Sequence, residues 1–155
     1  MKKIIKKYEE LQVKKEKYYV LQEEECALMF ELGNLQYYLT MILGEEKNIV
    51  QEVSKLLKEK IKIIKLQGYC ENQEIYDEKE ERIEELETKI EEEEERIEEL
   101  EKIIKEEEKR IEELETKINY NQYEKDLLYN EIAGDKKMIE IDKEELSMRE
   151  NNNRK

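Results

Sequence analysis

The sequence predicts an all-α fold: a long antiparallel helical hairpin, or coiled coil, with a short C-terminal helix. Three observations carry this. Of 155 residues, 46% are charged, none is proline and only four are glycine. Such a composition builds long helices and leaves too few apolar residues for a rounded core. A fourteen-residue unit, two heptads, occurs three times: ERIEELETKIEEEE, ERIEELEKIIKEEE and KRIEELETKINYNQ. That period is too short for a solenoid module and lengthens a coiled coil instead. One clear turn, GYCENQE, separates two helical runs of similar length, as in an antiparallel pair of helices.

Residues 1–67 read as the first helical arm. Ile4, Ile5, Tyr8, Leu11, Tyr18 and Leu21 leave a thin apolar stripe among lysines and glutamates. Residues 26–43, CALMFELGNLQYYLTMIL, are apolar on nearly every side. A glutamate such as Glu31 at the centre of a bilayer costs about 2.5–3.5 kcal/mol, so no membrane span is expected. The segment reads as a helix covered by another part of the chain, by a second copy or by a partner. Leu28, Phe30, Leu35, Tyr38 and Ile42 are its candidate interaction surface. Gly44 fits either a helix stop or a continuous helix weakened by about 1 kcal/mol. Beyond it, Ile49, Val53, Leu56, Leu57, Ile61, Ile63 and Ile64 are apolar, and lysines crowd the end, where they suit the helix dipole.

Residues 68–71 form the predicted turn, with Asn72 a cap for the second helical arm. Residues 72–134 make that unbroken acidic arm, on the order of 90 Å at the helical rise. Folding back about the turn places 26–43 opposite roughly 95–112 and so covers the most apolar segment. Residues 135–155 read as a further helix through Met138, Ile141 and Leu146, with NNNRK fraying at the end.

The repeat, residues 82–118, sets a heptad seam. Ile83, Ile90, Ile97, Ile104, Ile111 and Ile118 hold one core position, and Leu86, Leu100 and Leu114 the other. Between and after the leucines that second position is filled by Glu93, Glu107 and then Asn121. In a parallel in-register dimer each glutamate faces its own copy, which is unfavourable in a partly dry seam. The pattern therefore favours a hairpin or a wider bundle over a tight parallel homodimer.

Charge is uneven. Residues 1–70 hold 13 lysines against 11 acids, whereas residues 71–155 hold 16 bases against 32 acids. The net −14 argues against direct nucleic-acid binding, which needs concentrated Lys and Arg. The absence of histidine removes the usual general base and the commonest metal ligand. No phosphate-cradling glycine loop occurs. No catalytic, cofactor-binding or metal-ligating residue is expected, and the chain does not read as an enzyme. Cys26 and Cys70 form no metal motif, and MKKIIKKYEELQ lacks the apolar run of a signal peptide. A cytoplasmic setting is the expectation. Ten tyrosines, suited to half-buried contact surfaces, suggest an interaction face near residues 35–42 or 118–132. The function expected is a non-catalytic scaffold, spacer or adaptor that binds protein partners and self-associates as a dimer or more. The alternative is an acidic inhibitor or decoy occupying the basic site of a nucleic-acid-handling protein.

Overall fold

A computed structural model describes residues 1–153 as two long helices that pack against each other in a hairpin, α1 (Lys2–Gln67) and α2 (Gln73–Asn153). α1 runs through Gly44 without a break. α2 likewise runs through Gly134, so the separate short C-terminal helix expected from the sequence is not formed. The reason is local. One glycine costs a helix about 1 kcal/mol, and Ile132, Asp135 and Ile139 face inward on both sides of Gly134 and hold it in place. Asn151–Asn153 belong to α2. The rest of the expected frayed tail, residues 154–155, lies outside the described residues.

The turn keeps its hydrogen bonds. The amide of Gly68 donates to the Ile64 carbonyl at 3.1 Å, and that of Cys70 to Gln67 at 3.0 Å. Asn72 caps α2: its Oδ1 accepts from the amide of Glu74 at 2.9 Å and, more weakly, from that of Ile75 at 3.4 Å. These bonds satisfy first-turn donors that no helix can satisfy internally.

The two helices form two compact units, Met1–Gly33 with Glu112–Lys155, and Asn34–Ile111. The second holds the apolar packing. Val53, Leu56, Leu86 and Ile90 make one buried cluster, flanked by Ile49, Ile63 and Ile97. Ile42, Leu100 and Ile104 make another, flanked by Leu39, Ile49 and Ile103. In the first unit Leu11, Leu114, Ile118 and Ile139 are buried, with polar residues between them. In both units inward positions recur three and four residues apart, as at Leu28, Leu32, Leu35, Leu39 and Ile42 in α1. That is the spacing of a helix that keeps one face toward a neighbour.

The register differs from the expected one. Ile42 packs with Leu100 and Ile104, and Glu25 pairs with Lys125. The apolar segment therefore lies opposite residues between Leu100 and Lys125, a stretch displaced toward the C-terminus from 95–112. The offset arises beside the turn, where residues 71–78 are all exposed and inward packing begins only at Lys79. The segment is also covered on one side only. Ile42 is buried and Leu28, Leu32, Leu35 and Leu39 are half-buried, but Met29, Phe30, Tyr37, Tyr38, Met41 and Leu43 are exposed.

Two kinds of variant test this packing. Leu86 is fully enclosed (0% exposed), so Leu86→Ala is expected to cost about 2–5 kcal/mol in urea unfolding. Gly44 and Gly134 have nothing within 4 Å of an added Cβ, so Gly44→Ala and Gly134→Ala are each expected to stabilise by up to about 1 kcal/mol. Lower stability in either alanine variant would mean that the helix breaks at that glycine.

Candidate functional site

The structure places the repeat residues on the inward face of α2. Ile83, Leu86, Ile90, Leu100, Ile104, Leu114 and Ile118 are buried, and Ile97 and Ile111 are half-buried. The two seam glutamates separate. Glu93 is half-buried, whereas Glu107 is only 8% exposed. Arg110 reaches Glu107 Oε1 at 3.5 Å, and Oε2 is enclosed with no hydrogen-bond partner. A carboxyl oxygen enclosed without a partner is unfavourable.

The five proposed contact residues do not form one surface. Leu28, Leu35 and Ile42 lie on the inward stripe of α1 and belong to the contact between the two helices. Phe30 and Tyr38 are exposed outside it. Phe30 stands seven residues from Tyr37, on the same outer line of the helix.

A set of residues absent from the sequence reading lies in the first unit, at inward positions that carry charge. Lys7 pairs with Asp142, Lys14 lies 2.7 Å from Asp135, and Lys125 lies 2.5 Å from Glu25. Among them lies Asn121, which the heptad already places in the seam; it is 4% exposed and donates from Nδ2 to the Leu21 carbonyl at 3.0 Å. The signal that could have revealed these residues is the heptad itself. Counted onward from Asn121 it reaches Lys125, Asp135 and Asp142. The pairs shift the titration of Lys14, Glu25, Lys125 and Asp142. The hydrogen bond from Lys125 is the largest influence holding the Glu25 carboxyl below its usual range, and Lys7 does the same for Asp142. Reciprocally, Asp135 raises Lys14, and Glu25 raises Lys125. Aromatic rings flank the row. Lys125 Nζ stands 5.6 Å from the centre of the Tyr18 ring, and Lys143 Nζ 4.9 Å from that of Tyr8. Both distances suit a cation over an aromatic face.

On one side of this unit the two helices enclose a pair of consecutive grooves of about 680 and 550 Å³ that share Glu124. Val13, Val20 and Ala27 line them from α1, and Tyr120 and Leu127 from α2, with Leu21, Leu28 and Leu128 between. Glu16, Glu24, Glu31, Glu124 and Glu131 stand around the grooves, against Lys17 and Lys117. A hydrogen bond to Glu124 raises the Tyr120 phenol above its usual pKa. Among the described residues no cluster of His, Cys, Asp or Glu is arranged to hold a metal ion. Cys26 is exposed and Cys70 half-buried, and neither is in a disulfide. Among the described residues no helix is long and apolar enough to cross a membrane.

This geometry has two measurable consequences. Glu107→Leu removes the enclosed carboxylate and is expected to stabilise by about 1–3 kcal/mol at neutral pH. Glu93→Leu, at a half-solvated position, should gain less. Equal gains by urea titration would show that Glu107 reaches water as freely as Glu93. The second consequence concerns acid. Glu25 and Asp142 titrate below their unfolded values of about 4. Their stabilisation is present above those values and is lost as pH falls through the folded ones. Hydrogen exchange corrected for intrinsic rates should therefore show residues 7–25 and 121–142 losing protection as pH falls below the ordinary carboxylate range, ahead of residues 49–63 and 83–97. Loss of protection in the reverse order contradicts the pairing.

No protein-family model, no curated protein and no solved structure matches the chain.

Proposed function

We propose that the chain is a non-catalytic coiled-coil scaffold or adaptor, whose paired helices present side chains to protein partners. The observation that supports this most is the outer surface of α1 between Met29 and Leu43. There Phe30 and Tyr37 are 74% and 70% exposed on a helix whose other face is already packed. Large apolar side chains grouped in the open mark a contact site more often than chance exposure does. The three-and-four spacing of inward positions along both helices supports the coiled-coil part of the reading. The expected self-association belongs to the same proposal, with a second copy as one candidate cover for this surface.

A second reading rests on the 32 acids of residues 71–155, many on the exposed side of α2: an acidic decoy for a basic nucleic-acid-binding site. Salt separates the two. Capture of a native-cell protein through Phe30 and Tyr37 should persist from about 0.15 M to about 1 M salt, because screening weakens charge contacts and leaves apolar ones. Capture should fail with Phe30→Glu, Tyr37→Glu. A captured protein released by salt and retained by that double variant supports the decoy instead. Sedimentation of wild type against the variant shows whether the cover is a second copy.

A further inference from the structure

We propose that the paired grooves of the first unit are a docking site for a basic amphipathic helix of a partner protein, packed as a third helix between α1 and α2. The inference rests on the adaptor reading and names the class of partner for a surface separate from Phe30 and Tyr37.

The spacing of the lining residues identifies the occupant as a helix. Val13, Val20 and Ala27 lie seven apart, as do Tyr120 and Leu127. Two parallel lines of apolar side chains with that period leave a furrow that accepts the ridge of another helix. From Val13 to Glu31 the furrow spans about 27 Å, or five helical turns. Val13, Val20, Tyr120 and Leu127 are all exposed, so the furrow is open.

Charge identifies the chemistry of its flanks. Five glutamates border the two grooves against two lysines, and they stand on both sides: Glu16, Glu24 and Glu31 on α1, Glu124 and Glu131 on α2. An occupant needs an apolar stripe with Lys or Arg along both edges. A second copy fits poorly. Its basic exposed apolar segments, Ile5 and Tyr8 among Lys2, Lys3 and Lys6, and Leu57, Ile61 and Ile64 with Lys58 and Lys65, have α2 acids alongside, as the Lys7–Asp142 pair and Lys60 bonded to Glu87 at 3.1 Å show. Docking either edge brings carboxylates against carboxylates, in a chain of net charge −14.

The test uses the full chain and synthetic helical peptides of about 18 residues, the length of the furrow. One carries leucines at three-and-four spacing between two lysine edges. The second is its scrambled isomer, and the third has glutamates for lysines. At about 0.15 M salt the first should bind at least about tenfold more tightly than either other peptide. Val20→Glu and Leu127→Glu should each weaken it about tenfold, while Tyr37→Glu should not. Glu24→Lys, Glu131→Lys, which leaves the apolar lining intact, should shift preference toward the glutamate peptide. Circular dichroism checks that each variant remains helical. Equal binding of the leucine–lysine peptide and its scramble overturns the proposal, since attraction is then charge alone. So does a wild-type dimer that Val20→Glu dissociates, which assigns the furrow to a second copy. Capture through Phe30 and Tyr37 without tighter binding of the leucine–lysine peptide overturns the groove assignment and leaves the adaptor reading standing. Failure of both peptide binding and capture removes both.

Discussion

Charge placed inside a helix–helix seam is costly unless an opposite charge meets it there, and the first unit depends on that constraint. Lys7, Lys14 and Glu25 on α1 occupy inward positions and meet Asp142, Asp135 and Lys125 on α2. A slip of seven residues keeps the apolar pattern nearly unchanged, because the heptad repeats. It breaks the charges. One direction leaves Lys14 facing Leu128 and Glu25 facing Ile118; the other leaves Lys7 facing Arg149 and Glu25 facing Ile132. Either way at most one of three pairs survives. An unpaired ion taken from water is far costlier than a paired one is beneficial. Polar seam residues thus select one register among several that apolar packing alone tolerates.

The second unit divides its work differently. Its seam is mostly Ile, Leu and Val, and its stability comes from removing those side chains from water. Charge acts along the edge of its seam, where Arg82 bridges Glu59 at 3.0 Å and Lys60 meets Glu87 at 3.1 Å. Exposed pairs of this kind add little energy, but they agree with the register that the buried residues set. The three repeats alone could slide by fourteen residues, since each presents the same isoleucines and leucines. The enclosed Glu107 and half-enclosed Glu93 show that this helix accepts weak layers within a strong seam.

The helical hairpin was legible because proline is absent, the heptads are regular and GYCENQE is the one clear turn. The same local reading placed the Asn72 cap and the inward line from Ile83 to Ile118. It failed where the outcome depends on the neighbouring helix. Gly134 looked like a stop because no single-helix signal reports that Asp135 and Ile139 are held by α1. The pairing of residues 26–43 was displaced because the exposed start of α2 does not look different from its packed remainder. Leu28, Leu35 and Ile42 were grouped with Phe30 and Tyr38 by composition, and only the register separates inward from outward residues in so apolar a segment. The grooves were invisible for the same reason: Val13, Val20 and Leu127 gain meaning only when two distant stretches stand side by side.

Paired helices that use their inward faces on each other leave their outer faces for partners, and the proposed adaptor role rests on that arrangement. Its basis is the choice of register by seam charge. A double-mutant cycle at Glu25 and Lys125 measures it directly. Glu25→Lys and Lys125→Glu should each destabilise the chain by placing like charges together, and the exchanged double variant should recover most of the lost stability in urea unfolding. A double variant as unstable as the sum of the two single changes would contradict the account.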